Sequence, residues 1–277
     1  MSLRITTLSE NTAGRDFLGE WGLSILVETE NATILFDTGK SISTVYNVDT
    51  LHMDLARVSK IVLSHGHYDH TGGLRDVLRR MGKEVEVIAH PDIWQAKYAR
   101  RKDEPDRYIG IPFQRKELES LGARFKLAKE SLKIADNIMT TGEVPMATDF
   151  EQVDDGLFVR DDLDWQPDKV MDDQALVIKT GAGLVVILGC AHRGMINTLY
   201  HARKLTGVDK IHTVIGGSHL VGVSEERLWQ TIDALRSLGI QRMGLCHCTD
   251  LPAASILHQE FGETFFFNKA GSITEFK

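Results

Sequence analysis

The sequence contains no apolar run long enough to span a bilayer, and its first twenty residues lack the apolar core of an export signal. It is therefore expected to be cytoplasmic, with no membrane partner. Cysteine is scarce: there are three, and two of them, Cys246 and Cys248, are one residue apart, which makes a poor disulfide framework and fits a reducing compartment. Basic charge is not in excess. Thirty-two Lys and Arg against 39 Asp and Glu leave a net charge of −7, which argues against non-specific nucleic-acid binding. The one basic run, Arg100-Arg101-Lys102, is followed at once by Asp103 and Glu104 and reads as a solvated mixed-charge loop. No repeat with a period of roughly 20–50 residues is present, which argues against a solenoid.

What remains is an ordinary globular composition, 42% hydrophobic and 26% charged over 277 residues, enough for one large domain. Strands are expected at Arg4–Leu8, around Leu23–Val27, and at Thr33–Phe36, Lys60–Leu63 and Val85–Ala89. Helices are expected near Ser41–Val48 and from Leu74, where Leu74, Val77, Leu78 and Met81 share one face before Gly82. A further helix is read from Pro91 to about Arg100, with His90 capping the preceding strand end. Residues 101–173 read as a substrate-facing excursion within a single 1–277 domain. It holds a short helix near Arg115–Leu121 and short strands around Phe125, Ile138–Thr141 and Leu157–Val159, with buried anchors at Phe158 and Trp165. Asp172 and Asp173 precede the apolar hairpin Ala175–Lys179 and Leu184–Leu188 and read as a turn, with support of a ligand histidine as the alternative. A helix at Ile196–Leu205, a strand at Ile211–Ile215, a helix N-capped by Ser224 and a strand at Ile240–Leu245 follow. Pro252 opens the last long helix, and Thr264–Phe267 reads as the closing strand.

The chemistry concentrates at Ser64-His65-Gly66-His67-Tyr68-Asp69-His70-Thr71-Gly72-Gly73. Four potential metal ligands fall within six residues, directly after the apolar run Ile61-Val62-Leu63. A loop at a strand end lets imidazoles converge on one point, which a continuous helix or strand at this spacing does not. Imidazole nitrogens and a carboxylate oxygen suit zinc, iron or manganese. Three other apolar strands also end in ligand-capable loops, at Asp37, at Cys190 and His192, and at His247.

The segment His65-Gly66-His67-Tyr68-Asp69-His70 resembles the His-x-His-x-Asp-His signature of the metallo-β-lactamase superfamily. Ile34-Leu35-Phe36-Asp37-Thr38-Gly39 is similar to its first motif, and Gly189-Cys190-Ala191-His192 and Cys246-His247-Cys248-Thr249 to its later ligand motifs. Gly189–Thr198, Ile215–Leu220 and His247-Cys248-Thr249 together resemble the branch named after the methanopterin-pathway ribofuranosyl-aminobenzene-phosphate synthase.

The resemblance implies an α/β fold, the four-layer αβ/βα sandwich of two mixed sheets flanked by helices. It implies two divalent metal ions, zinc first, with iron or manganese as alternatives. His65, His67 and His192 would hold one metal, and Asp69, His70 and His247 the other, with Asp69 also catalytic and Asp37 bracing the loop. Cys190 stands where the superfamily usually places a bridging aspartate; it is either a ligand or a small buried residue. Glu143 is a candidate oxygen donor. Arg193 and His219 are candidate substrate or supporting contacts. The implied activity is hydrolysis of a small anionic ester, phosphoester, thioester or amide by a metal-bound hydroxide. The alternatives are a pterin-pathway synthase-like enzyme or a non-catalytic metal-binding member. The expected partner is a small molecule, with a homo-oligomer left open.

Overall fold

Strands that sequence patterning marks as apolar form the centre of two mixed sheets. The computed structural model describes residues 2–162 and 164–276. They fall into two compact units: Met1–Lys129, Asp154–Asp172 and Lys269–Lys277 make the first, and Glu130–Val153 with Asp173–Asn268 the second.

In the first unit, a seven-stranded sheet runs in the order Ile273–Phe276, Leu3–Ser9, Ser24–Thr29, Thr33–Phe36, Lys60–Val62, Val85–Ala89, Ala123–Leu127. Its first three pairings are antiparallel and its last three parallel. The parallel half needs crossovers, and the helices Ser43–Thr50, Leu74–Met81 and Arg115–Ser120 occupy them. Helix Leu74–Met81 buries Leu74, Val77, Leu78 and Met81, the four residues whose spacing defines its apolar face, and stops where Gly82 N–H bonds Leu78 O. Each such side chain contributes roughly 1.5–3 kcal/mol when fully removed from water. A small four-stranded antiparallel sheet, Asp164–Pro167, Leu157–Asp161, Ala96–Ala99 and Arg107–Tyr108, belongs to the same unit.

In the second unit, a six-stranded sheet runs Arg242–Cys246, Ile211–Gly217, Gly183–Leu188, Leu176–Thr180, Ile138–Thr140, Lys133–Ala135. Its first three strands are parallel, joined by the helices Met195–Thr206 and Glu225–Leu238. Every residue of Gly183–Leu188 is buried, as expected for a central strand covered on both faces. Ser224 caps its helix as expected, its hydroxyl accepting from Arg227 N. No helix among the described residues is long and apolar enough to cross a membrane.

Three expectations are corrected. The helix read from Pro91 to Arg100 is a single 3-10 turn, Pro91–Trp94, followed by the strand Ala96–Ala99. His90 Nδ1 accepts from Asp92 N and caps that turn, and pairing with Leu157–Arg160 then outcompetes helix continuation. The stretch read as loop with one short strand is a hairpin, Leu157–Asp161 against Asp164–Pro167. Its aromatics Phe158 and Trp165 are half-buried rather than buried, and the Arg100 guanidinium lies over both rings. The closing strand is Ile273–Phe276, not Thr264–Phe267. The aromatic run makes only an isolated bridge, Phe265 to Met243, and packs Phe266 against Gly244.

Candidate metal-binding loops

In the first unit, Asp37 and His65 follow the parallel strands Thr33–Phe36 and Lys60–Val62, outside their carboxyl ends, where α/β sheets place ligands. Asp37 is fully buried and takes a left-handed conformation, φ +57°, which non-glycine residues rarely adopt. Its carboxylate accepts from Ser64 N and Ser64 Oγ, both at 2.7 Å, and lies 2.7 Å from His70 Nδ1. That last contact assigns Nδ1 to Asp37 and would make Nε2 the ligating atom if His70 held a metal, as where a carboxylate stands behind a metal-binding histidine. The His70 carbonyl is also held, accepting from Thr38 N at 2.8 Å and Thr38 Oγ1 at 2.9 Å.

The rest of the loop is equally constrained. His65 and His70 are inaccessible, and His67 and Asp69 are 5% and 8% exposed. Ser64 Oγ sits 2.9 Å from His65 Nδ1, while His65 Nε2 and His67 Nδ1 face one another at 3.0 Å. Two nitrogens on a shared tetrahedral zinc, each about 2.0–2.1 Å from it, would lie roughly 3.3 Å apart, so the observed spacing fits a common ion. Burial pushes His67 down to about 3, opposed by Asp69 and Asp172 and assisted by Lys97 and His70, so the imidazole is neutral and ligand-competent at neutral pH. The donor set, three imidazoles and a carboxylate, fits a borderline divalent cation.

A second brace holds the loop from below. Gly66 N–H, between the two facing histidines, donates to Asp172 Oδ2 at 2.8 Å. Asp172 Oδ1 and Asp168 Oδ2 accept from the Lys97 ammonium at 2.9 and 2.8 Å, and Lys97 is completely buried. Burial alone would lower Lys97, but Asp172 and then Asp168 overcome it and hold the ammonium above its ordinary value. Burial likewise opposes ionisation of Asp172, yet Lys97 and the Gly66 N–H keep that carboxyl below the usual range. Gly66 is required by space, since a Cβ there would come 2.6 Å from the Ile93 carbonyl. Sequence reading gave Lys97 and Asp168 no role, and for Asp172 it favoured a turn over support of a ligand histidine. Alternating small and polar residues around Lys97 carry no signal of a buried cation, and only the strand pairing brings these groups together.

The second unit carries its own donors at the ends of three adjacent parallel strands. Gly183–Leu188 leads to Cys190 and His192, Ile211–Gly217 to His219, and Arg242–Cys246 to His247 and Cys248. Ala191, His219 and His247 have φ of +55°, +48° and +55°, so each strand end holds a non-glycine residue in the left-handed region. Backbone strain of this kind costs on the order of 1–3 kcal/mol per residue and clusters at functional sites. Cys190, His192, His247 and Cys248 are buried and His219 half-buried. The His192 and His219 rings lie 4.2 Å apart, centroid to centroid, and one donor atom from each of Cys190, His219 and Cys248 falls within 4.8 Å of the other two. Burial opposes ionisation of the Cys248 thiol, but hydrogen bonding with Cys190 and His219 and the charge of His247 draw it well below its ordinary value.

Arg193, a candidate substrate or supporting contact, is 8% exposed: Nε donates to Val144 O at 2.5 Å, and its backbone N donates to Asp173 Oδ2 at 2.9 Å. Burial lowers its pKa, with Asp173 and Glu143 opposing, so Glu143 stands as a charge neighbour of Arg193.

The model of the metallo-beta-lactamase superfamily matches residues 22–247. A curated relative from Methanocaldococcus jannaschii, 7,8-dihydropterin-6-methyl-4-(beta-D-ribofuranosyl)-aminobenzene-5'-phosphate synthase, is 33% identical over 99% of this chain and 97% of its own length. An uncharacterized protein of the same organism, MJ0448, is 35% identical over 97% of this chain and 98% of its own. Among solved structures, Tm1679, described as a metal-dependent hydrolase of the beta-lactamase superfamily, matches with a TM-score of 0.87 at 30% identity, covering 99% of both chains. The Asp37-braced histidine loop and these full-length matches agree, and the chain belongs to the metallo-beta-lactamase superfamily.

Proposed function

We propose that the protein is a metal-dependent hydrolase acting on a small anionic ester, phosphoester, thioester or amide. The observation that carries this reading is the buried loop His65–His70, whose neutral, braced imidazoles fit a divalent cation. The 30% identity to a structure described as a metal-dependent hydrolase supports it. In this reading two ions, zinc first and iron or manganese as alternatives, would be held by His65, His67 and His192 and by Asp69, His70 and His247. Bound metal there supplies Lewis-acid polarisation and water activation near neutral pH. Asp69 orients the attacking water and takes up its proton. Asp37 keeps His70 in one tautomer, and Asp172 fixes the Gly66 peptide so that His65 and His67 do not drift apart. Cys190, the donor common to every candidate ligand group among the described residues, is a further candidate ligand in this arrangement, and Glu143 is in none of those groups.

A second reading, a synthase acting on a dihydropterin-type substrate, is favoured by one observation, the full-length 33% identity to the Methanocaldococcus jannaschii synthase. One experiment separates them. Zinc-loaded protein is assayed against a panel of phosphodiesters, lactones and thioesters, and for formation of the product in that relative's name. The hydrolase reading expects cleavage of a panel member that His67→Ala and Asp69→Ala abolish while the fold persists by circular dichroism. A blank panel together with product formation would sink it.

A further inference from the structure

Beside the histidine loop, the first unit presents two cations that the proposed metal chemistry does not use. Lys40 follows Asp37-Thr38-Gly39, and Arg107 opens the two-residue strand Arg107–Tyr108; both residues are exposed. Both address the same side chain. The Lys40 ammonium lies over the Tyr68 ring, 5.7 Å from its centroid, and the Arg107 guanidinium hydrogen-bonds the Tyr68 phenol. Tyr68 stands between His67 and Asp69, and its N–H is fixed on the Ile109 carbonyl at 2.9 Å, so the phenol is part of the donor-bearing loop itself. Among the described residues, neither cation is in an ion pair.

The Lys40 backbone is wedged in place, unlike that of an ordinary surface lysine. Its N–H and that of Ser41 both donate to Glu20 Oε1 at 2.9 Å. The hydroxyls of Ser41 and Ser43 donate to the same carboxylate, the latter at 2.6 Å. The Glu20 charge is thus met by backbone and hydroxyl donors, and the ammonium is left for the phenol. Glycine is needed on both flanks. A Cβ at Gly22 would lie 2.7 Å from Lys40 N and from the Asp69 carbonyl oxygen, and one at Gly72 would lie 2.1 Å from the Lys40 carbonyl oxygen. One glycine therefore touches both Lys40 and Asp69, which anchors the ammonium at the edge of the donor loop.

The chain as a whole carries a net charge of −7, a field that disfavours anions. Two cations without carboxylate partners at one rim reverse that field locally. An ammonium supplies rotatable donors and a guanidinium a planar fork, and both match the oxygens of a phosphate or carboxylate. A cation over an exposed ring is held weakly, so the Lys40 ammonium turns toward an arriving oxygen at little cost.

We propose that Lys40 and Arg107, mounted on Tyr68, form a subsite for the anionic group of the substrate, a phosphate or a carboxylate, at the edge of the His65–His70 loop. The substrate role rests on the hydrolase reading; the binding of the anion does not. In that role the two cations hold the part of the molecule that does not react, so their loss falls on KM rather than on kcat.

The test uses the full chain. Acylation of lysines by an amine-reactive ester is followed by peptide mass spectrometry on the wild type, with inorganic phosphate, with acetate, or with chloride at matched ionic strength. At least one of the two anions should slow labelling of Lys40 by about 5-fold or more, while exposed Lys83 is labelled at an unchanged rate. Protection by phosphate alone assigns a phosphate group to the subsite, and protection by acetate alone a carboxylate. Affinity for the protecting anion, measured by calorimetry, should fall roughly 5–10-fold in Lys40→Met and in Arg107→Met, and Lys40→Arg should keep it within about twofold of wild type. For an anionic member of the substrate panel, Lys40→Met should raise KM by about the same factor with kcat within about twofold, and a neutral lactone should show neither change. Labelling of Lys40 slowed by neither anion overturns the subsite, and because it is read on unmutated protein it does not depend on any variant folding. Unchanged affinity in both methionine variants overturns it as well. A blank substrate panel with Lys40 still protected would instead sink the hydrolase reading and leave the subsite standing.

Discussion

The histidine loop of the first unit and the cysteine–histidine strand ends of the second gather metal-type donors by opposite routes. The loop draws four donors from six consecutive residues and fixes them by buried carboxylates, Asp37 on one side and Asp172 on the other. The strand ends draw donors from positions 190, 219 and 248 and fix them by sheet register and left-handed backbone at Ala191, His219 and His247. The first route depends on buried charge, the second on packing space and strain. Electrostatic bracing should therefore be the weak point of the loop, and volume the weak point of the strand ends.

The largest expected effect tests the loop. Asp37→Ala leaves Ser64 N, Ser64 Oγ and His70 Nδ1 without their buried acceptor; at about 1–3 kcal/mol each, the loss is roughly 3–9 kcal/mol by chemical denaturation. Asp37→Asn should restore part of that stability yet still weaken metal retention by about 10–100-fold, measured by competition with a chelator. Equal metal affinity in Asp37→Asn and wild type would remove Asp37 from the role of orienting His70.

Next comes Lys97→Met, which strands two buried carboxylates and should cost about 3–4 kcal/mol at neutral pH. Its pH dependence distinguishes a charge effect from lost packing. In the folded wild type Asp172 lies below its ordinary value, so its contribution is present above the unfolded-state carboxyl pKa and is lost as pH falls through the lower folded value. Without Lys97 burial dominates, Asp172 rises, and the sign reverses. The stability deficit of Lys97→Met should shrink on acidification, where both carboxyls are protonated, and widen toward neutral pH. A deficit independent of pH would mean that Lys97 acts only through its aliphatic stem.

The smallest effect tests the strand ends. Gly217→Ala forces a Cβ against Cys248 Sγ and the Gly189 carbonyl and should cost about 1–3 kcal/mol. Unlike Lys97→Met, it should show little change in that cost with pH, because no charge is stranded. A strongly pH-dependent penalty would contradict the contrast drawn between the two regions.

Legibility followed the same divide. Local signals carried the helix Leu74–Met81, the strands Thr33–Phe36 and Val85–Ala89, the Ser224 cap and the donor-rich loop His65–His70, because each depends on neighbours within a turn or a strand. The misread segments depend on distant partners. Ala96–Ala99 is a strand only because Leu157–Arg160 pairs with it, and Ile273–Phe276 closes the first sheet only because Leu3–Thr6 offers an edge. Lys97 likewise carries no sequence mark, since the acids that make its burial tolerable are about 70 residues away, at Asp168 and Asp172.

The sequence by itself determined the family, the apolar strands and the histidine loop, since donor spacing and periodicity are written in consecutive residues. Only the tertiary structure decided what holds those donors still. The Lys97–Asp168–Asp172 network and the Cys190–His219–Cys248 cluster exist because strand pairing brings together groups that local propensity does not relate. Buried charges persist only where partners neutralise them, and sulfurs converge only where the backbone leaves them room.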